Sequence, residues 1–211
     1  MKRVLTSLAL AVAATPAFAN DPFVGGDAEA GAKKAAVCAA CHGPGGNSVN
    51  PEWPKLAGQS AKYTLDQLQK FKAGVRRNAL MQPQAANLSE QDMKDLAAYF
   101  AAQQPKPGVA AEAAVATAAP LHQGGDSERG ITACSACHGP TGAGNPAAGY
   151  PRLTGQQSTY TANVLRLFRS MGNGEIETPA EGGSLTIMTS IAAKLTDEEI
   201  EALASYFQGL Q

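Results

Sequence analysis

The pattern C-x-x-C-H occurs twice, as Cys38-Ala39-Ala40-Cys41-His42 and as Cys134-Ser135-Ala136-Cys137-His138, and these two copies consume all 4 cysteines of the chain. Each copy forces two thiols and an imidazole onto one short turn. A redox-active disulfide or half of a zinc site also uses C-x-x-C. Neither use calls for a histidine directly behind the second cysteine, and a zinc ribbon needs its pairs far closer than the about ninety residues that separate them here. Covalent haem attachment does call for it. Two thiols reach the two vinyl groups of one porphyrin, and the next histidine supplies an iron ligand. The sequence therefore predicts two covalently bound haem c groups, held by Cys38 and Cys41 and by Cys134 and Cys137, with His42 and His138 on the irons.

The N-terminus reads as an export signal. Met1-Lys2-Arg3 is basic, Val4 to Ala14 is apolar, and Ala17-Phe18-Ala19 is a small-x-small cleavage site. Residues 1–19 are expected to be removed, leaving a periplasmic protein. No later run approaches the eighteen or so apolar residues of a transmembrane helix.

The remainder is a duplication. Trp53-Pro54-Lys55-Leu56-Ala57-Gly58-Gln59 matches Tyr150-Pro151-Arg152-Leu153-Thr154-Gly155-Gln156, and Tyr63 and Phe71 match Tyr160 and Phe168. Met81 to Phe100 aligns without a gap to Met188 to Phe207. Two units follow, 20–103 and 123–211. The segment 104–122 holds Pro105, Pro107 and Pro120 and few large apolar side chains, so it is expected to be a linker with His122 in solvent. Asn173 to Gly183 has no counterpart in the first unit and reads as a surface loop.

Local patterns are helical throughout, which predicts an all-α fold. Asp27 is expected to cap a helix running through Lys33 to Cys41. Ser89 with Asp92, flanked by Leu88 and Met93, and Thr196 with Glu199, flanked by Leu195 and Ile200, read as capping boxes with hydrophobic staples. Met93, Leu96, Ala97 and Phe100 then recur at helical spacing, as do Ile200, Leu203, Ala204 and Phe207.

The sixth iron ligand decides between electron carriage and ligand binding. Of 3 histidines two are committed, and His122 has no partner in the repeat. Met93 aligns with Ile200 and Met171 with Gly74, which leaves Met81 and Met188 as the equivalent pair, placed in loops before the last helices. Histidine–methionine ligation at both irons follows. Pro54 and Pro151 either offer a carbonyl to the ring N–H of the ligating histidine or merely turn the chain. Arg76, Arg77 and Asn78 read as a solvated face rather than as partners of a haem propionate.

Charge is uneven. Residues 20–103 carry nine Lys or Arg against eight Asp or Glu, and 123–211 carry five against nine. The expectation is a polar molecule, with Lys70, Lys72, Arg76 and Arg77 on one side and Glu175, Glu177 and Glu181 on the other. No nucleic-acid surface is evident.

Taken together, the two C-x-x-C-H motifs, the Pro-x-Leu-x-Gly-Gln segments, Met81 and Met188 before the repeated Leu-Ser/Thr helices, and the leader resemble the dihaem cytochrome c4 family. The resemblance covers essentially the whole chain after the leader. It implies two tandem class I cytochrome c domains joined back to back, each wrapped around one covalent haem, with axial pairs His42–Met81 and His138–Met188. It also implies electron carriage in the periplasm, from a quinol-oxidising cytochrome bc complex to a haem-copper terminal oxidase. The partners are then redox proteins, some of them membrane-bound, which leaves room for peripheral membrane association. A cytochrome subunit of a periplasmic dehydrogenase would use the same haems, and a dihaem peroxidase is disfavoured by the shortage of histidines. Units of about ninety residues, rich in alanine, bury little apolar surface alone. Protein that has not received haem should therefore be largely unfolded, and a cooperatively folded haem-free form seen by circular dichroism would contradict this.

Overall fold

Four helices of this chain begin where a short polar side chain, Asp27, Ser60, Ser89 or Thr196, takes up free backbone N–H groups of the first turn. The computed structural model describes residues 24–179 and 183–210, so the expected leader and residues 180–182 of the 173–183 insertion lie outside the described residues. The first unit holds α1 (Ala28–Lys34), α2 (Ala39–His42), α3 (Ala61–Lys72), α4 (Met81–Ala86) and α5 (Glu90–Ala101). The second holds α6 (Glu112–Gly124), α7 (Ser135–His138), α8 (Ser158–Gly172), α9 (Ser184–Ala192) and α10 (Asp197–Gly209). Among the described residues the only β pairing is two isolated bridges, and no helix is long and apolar enough to cross a membrane.

The expected caps form. Asp27 accepts from the N–H groups of Glu29 and Ala30 at 2.8 and 3.2 Å. Ser89 with Asp92, and Thr196 with Glu199, make reciprocal capping boxes at α5 and α10. The helix expected to run from Asp27 to Cys41 is instead broken over 35–38, and α2 restarts at Ala39.

In each unit the first helix packs across the last, α1 on α5 and α6 on α10. Gly31 makes the first crossing close: a Cβ there would lie 2.1 Å from the Asp95 carbonyl oxygen and 2.7 Å from the Tyr99 Cβ. The second crossing corrects the expected linker. Residues 112–124 are helical despite Pro120, and Ala118, Leu121 and His122 are buried. Small alanines let α6 approach α10 closely, so no stripe of large apolar residues was needed, and that missing stripe is what made the segment read as a linker. His122 is fully buried rather than solvated. Its Nε2 lies 3.0 Å from the Pro140 carbonyl oxygen, and its ring packs on Tyr206 and Phe207.

The two cores differ. Buried large apolar side chains in the first unit are Phe71, Met93, Leu96 and Phe100, among seven buried alanines. The second unit buries Leu121, Ile131, Leu165, Leu195, Ile200, Leu203, Tyr206 and Phe207. The first unit therefore leans harder on polar ties. The chief tie is Asp95, 3% exposed, which accepts from Lys34 Nζ at 2.7 Å, Asp27 N at 3.0 Å and Gln91 Nε2 at 2.8 Å.

Burial opposes ionisation of Asp95, but the Lys34 ammonium and the other donors outweigh it and hold the carboxyl below the usual range. A depressed carboxyl stabilises the fold above its unfolded pKa of about 4, and the contribution fades as pH falls through the lower folded value. Asp95→Asn should cost roughly 1–2 kcal/mol near neutrality, a figure reduced because Lys34 stays partly in water. Thermal melts of the haem-loaded protein should show the gap from wild type closing below about pH 4; a gap that widens on acidification would refute the assignment.

Candidate functional site

Both C-x-x-C-H segments form a single helical turn. His42 N–H donates to the Cys38 carbonyl at 2.8 Å and His138 N–H to the Cys134 carbonyl at 2.9 Å, which sets both cysteines and the histidine on one local turn. Gly43 and Gly139 stop the turns at φ 74° and 79°, where a side chain would be strained, and each N–H closes back onto the residue after the first cysteine. None of the four cysteines is tied up in a disulfide. Burial pushes the Cys134 thiol up to about 11 and raises that of Cys38 as well, the opposite of what a reactive thiolate needs.

The histidines are buried and aimed. Nδ1 of His42 lies 2.9 Å from the Pro54 carbonyl oxygen, and Nδ1 of His138 lies 2.9 Å from that of Pro151. A carbonyl can only accept, so each Nδ1 carries the hydrogen and each Nε2 presents a lone pair. Burial lowers the pKa of both rings against the opposing effect of these bonds, with the nearby His122 adding to the lowering at His138. A neutral, oriented imidazole is the form that binds a metal. Two thiols and one bare imidazole nitrogen per turn fit haem c, and the alanine-rich core of the first unit leaves apolar bulk for a porphyrin to supply.

Met81 and Met188 are half-buried, but neither sits in the expected loop. Met81 opens α4, where Asn78 Oδ1 accepts from the N–H groups of Leu80 and Met81 at 3.0 and 2.9 Å. Met188 lies inside α9 and packs against the second core. Asn78 is a capping signal that was legible as Asn-x-x-Met.

The units face each other through a reciprocal pair that the sequence displayed without revealing its use. Gln59 Nε2 donates to the Arg152 carbonyl at 3.0 Å, and Arg152 N–H returns to Gln59 Oε1 at 2.8 Å. At the equivalent place Gln156 Nε2 donates to the Lys55 carbonyl at 2.9 Å, and Lys55 N–H returns to Gln156 Oε1 at 2.8 Å. The segments carrying Pro54 and Pro151 are thereby locked to one another. Both glutamines stood at matching positions of the repeat, which was the available signal.

The expected separation of basic and acidic sides does not hold. Arg77 and Glu177 lie 3.9 Å apart across the units, Lys70 pairs with Asp66 at 2.7 Å, and Lys72 Nζ is turned to the Leu88 carbonyl oxygen. Glu181 falls outside the described residues. Arg76 is not on a solvated face either. Its Nη2 donates to the Tyr160 hydroxyl of the second unit at 3.0 Å, and its Cζ lies 4.7 Å from the centroid of the Phe71 ring.

Comparison with known proteins agrees with this architecture. The cytochrome c family model matches residues 28–104 and 131–211. Cytochrome c4 of Stutzerimonas stutzeri is 45% identical over 219 residues, covering 100% of both chains. The crystal structure of reduced recombinant cytochrome c4 from Pseudomonas stutzeri superposes with a TM-score of 0.81 at 45% identity, covering 88% of this chain and 100% of that one. A thiosulfate dehydrogenase electron acceptor from Stutzerimonas stutzeri strain A1501 is 38% identical, over 85% of this chain and 82% of its own. The chain belongs to the cytochrome c4 family, a dihaem electron carrier built from two cytochrome c units with two covalently bound haem c groups.

Proposed function

We propose that the protein carries single electrons in the periplasm from a quinol-oxidising cytochrome bc complex to a haem-copper terminal oxidase, with iron held between His42 and Met81 in one unit and between His138 and Met188 in the other. The attachment residues are Cys38 and Cys41, and Cys134 and Cys137. Haem c, when bound, supplies one-electron exchange at its iron. The chain's own residues make that exchange easy. Pro54 and Pro151 fix the histidine rings through bonds of 2.9 Å, so ring orientation need not change with valence. This duplicated bond is the observation that carries the reading.

A methionine thioether as the second axial ligand raises the reduction potential, which suits the high-potential end of a respiratory chain. With both axial positions filled by protein, no iron position is left for a substrate. Export rests on the leader at residues 1–19.

A second reading has a specific observation behind it. The 38% identity to a thiosulfate dehydrogenase electron acceptor favours a dehydrogenase as donor, with the same haems and ligands.

In stopped-flow mixing, the reduced protein should be reoxidised by a haem-copper oxidase at a rate that falls with salt, and the oxidised protein should be reduced by a cytochrome bc complex. Reduction by thiosulfate dehydrogenase together with inertness toward the bc complex would transfer the assignment to the second reading. Carbon monoxide should leave the reduced wild-type spectrum unchanged, whereas Met81→Ala and Met188→Ala should each bind it at one haem. Binding by the wild type would overturn the ligand assignment.

A further inference from the structure

A guanidinium taken out of water needs an anion or a full set of acceptors, because an unpaired buried charge is costly. Arg77, Arg129, Arg166 and Arg169 each have a carboxylate within 4.0 Å. Arg76 has none among the described residues. Its Nη1 is 2.5 Å from Gln67 Oε1 and its Nη2 is 3.0 Å from the Tyr160 hydroxyl, while the flat face of the group rests on Phe71. The Tyr63 phenol also interacts with it, and burial pushes that phenol up to about 12. These partners are all neutral. Among the described residues Arg152 also lacks a carboxylate and an aromatic partner, and it gives its Nε–H to the Thr154 carbonyl at 3.2 Å.

Two phenols, an amide and a phenyl ring thus hold a cation at the seam between the units without neutralising it. The repeat makes Tyr63 and Tyr160 equivalent, yet the arginine comes from the first unit alone, on the stretch that leads from α3 into Met81. Haem c brings two propionate carboxylates, and the haem bound at Cys38 and Cys41 belongs to the same unit as Arg76.

We infer that Arg76 binds a propionate of the first unit's haem at the domain seam and thereby raises the potential of that haem relative to the other. Arg76 is a positioning residue, acting on the iron through the propionate. The inference rests on the electron-carrier reading. A fixed positive charge favours the ferrous state, which carries one positive charge fewer. With the guanidinium roughly 12 Å from the iron and an effective dielectric constant of about 20, loss of the cation should change the redox ratio about tenfold.

The test is a potentiometric titration of the haem-loaded protein, with the two steps assigned from haem methyl NMR signals. In Arg76→Gln the oxidised-to-reduced ratio of the first haem at fixed potential should rise about tenfold, or ~59 mV for one electron. The second haem should move less. Arg76→Lys should recover most of the shift, and Tyr160→Phe, which removes the bond across the seam but keeps the cation, should leave both steps near wild type. Unmoved steps in Arg76→Gln, equal shifts in the Gln and Lys variants, or an equal shift in Tyr160→Phe would each overturn the inference. Arg76→Met, which keeps the stem over Phe71, replaces the Gln variant if that one does not fold. A crystal structure of the haem-loaded wild type decides independently. A propionate oxygen within hydrogen-bond distance of the guanidinium supports the inference, and both propionates turned elsewhere sinks it. Absence of two one-electron steps in the wild type would count against the electron-carrier reading rather than against Arg76.

Discussion

The bond from a histidine ring to a proline carbonyl, made once in each unit at 2.9 Å, is the constraint on which the rest depends. It commits Nδ1 of each ring to a carbonyl and leaves the lone pair of Nε2 for a metal. Without it the imidazole could swing and present either nitrogen, and a metal centre built on it would reorganise with every change of valence. With it, a one-turn helix, one glycine at positive φ and a proline suffice in each unit to hold three anchoring groups. The same segments that carry the prolines are then clamped to each other by Gln59 and Gln156, so the surroundings of one centre are mechanically continuous with those of the other.

Around that constraint the two units solve the same packing problem with different means. The first crosses α1 over α5 at Gly31 and ties them with Asp95, Lys34 and Asp27. The second has Ala202 where the first has Asp95. It packs the longer α6 on α10 through alanines and His122, and pins the following loop with Arg129, whose Nε is 2.6 Å from Asp126 and whose Nη1 is 3.1 Å from Glu199. Among the described residues eight large apolar side chains are buried there against four in the first unit. A duplicated sequence has therefore become two inequivalent environments, and Arg76, which the first unit alone places between Tyr63 and Tyr160, adds to the difference.

Much of this was legible in the chain because the chemistry is local. The C-x-x-C-H turns, the capping boxes at Ser89 and Thr196 and the cap at Asp27 each need only a few adjacent residues, and the repeat registers them twice. What escaped was what depends on tertiary proximity. Residues 104–122 looked like a linker because alanine carries no amphipathic signature, although alanine is what lets α6 lie close on α10. Arg77 and Glu177 looked like opposed surface charges because sequence distance hides that they meet across the units. His122 lacked a repeat partner and so seemed idle, whereas its fully buried ring is part of the second core. Met81 and Met188 were placed in loops because the short helices α4 and α9 carry weaker start signals than those that follow them.

The central claim is that two thioether sulfurs complete both iron sites and leave nothing for the protein to do but pass electrons. A spectroscopic redox titration of the purified, exported protein tests it most directly, following the methionine-to-ferric-iron absorption band alongside the haem bands. The account predicts two one-electron steps, each removing its share of that band on reduction. A band worth only one haem, or a step that proceeds without touching it, would contradict the account.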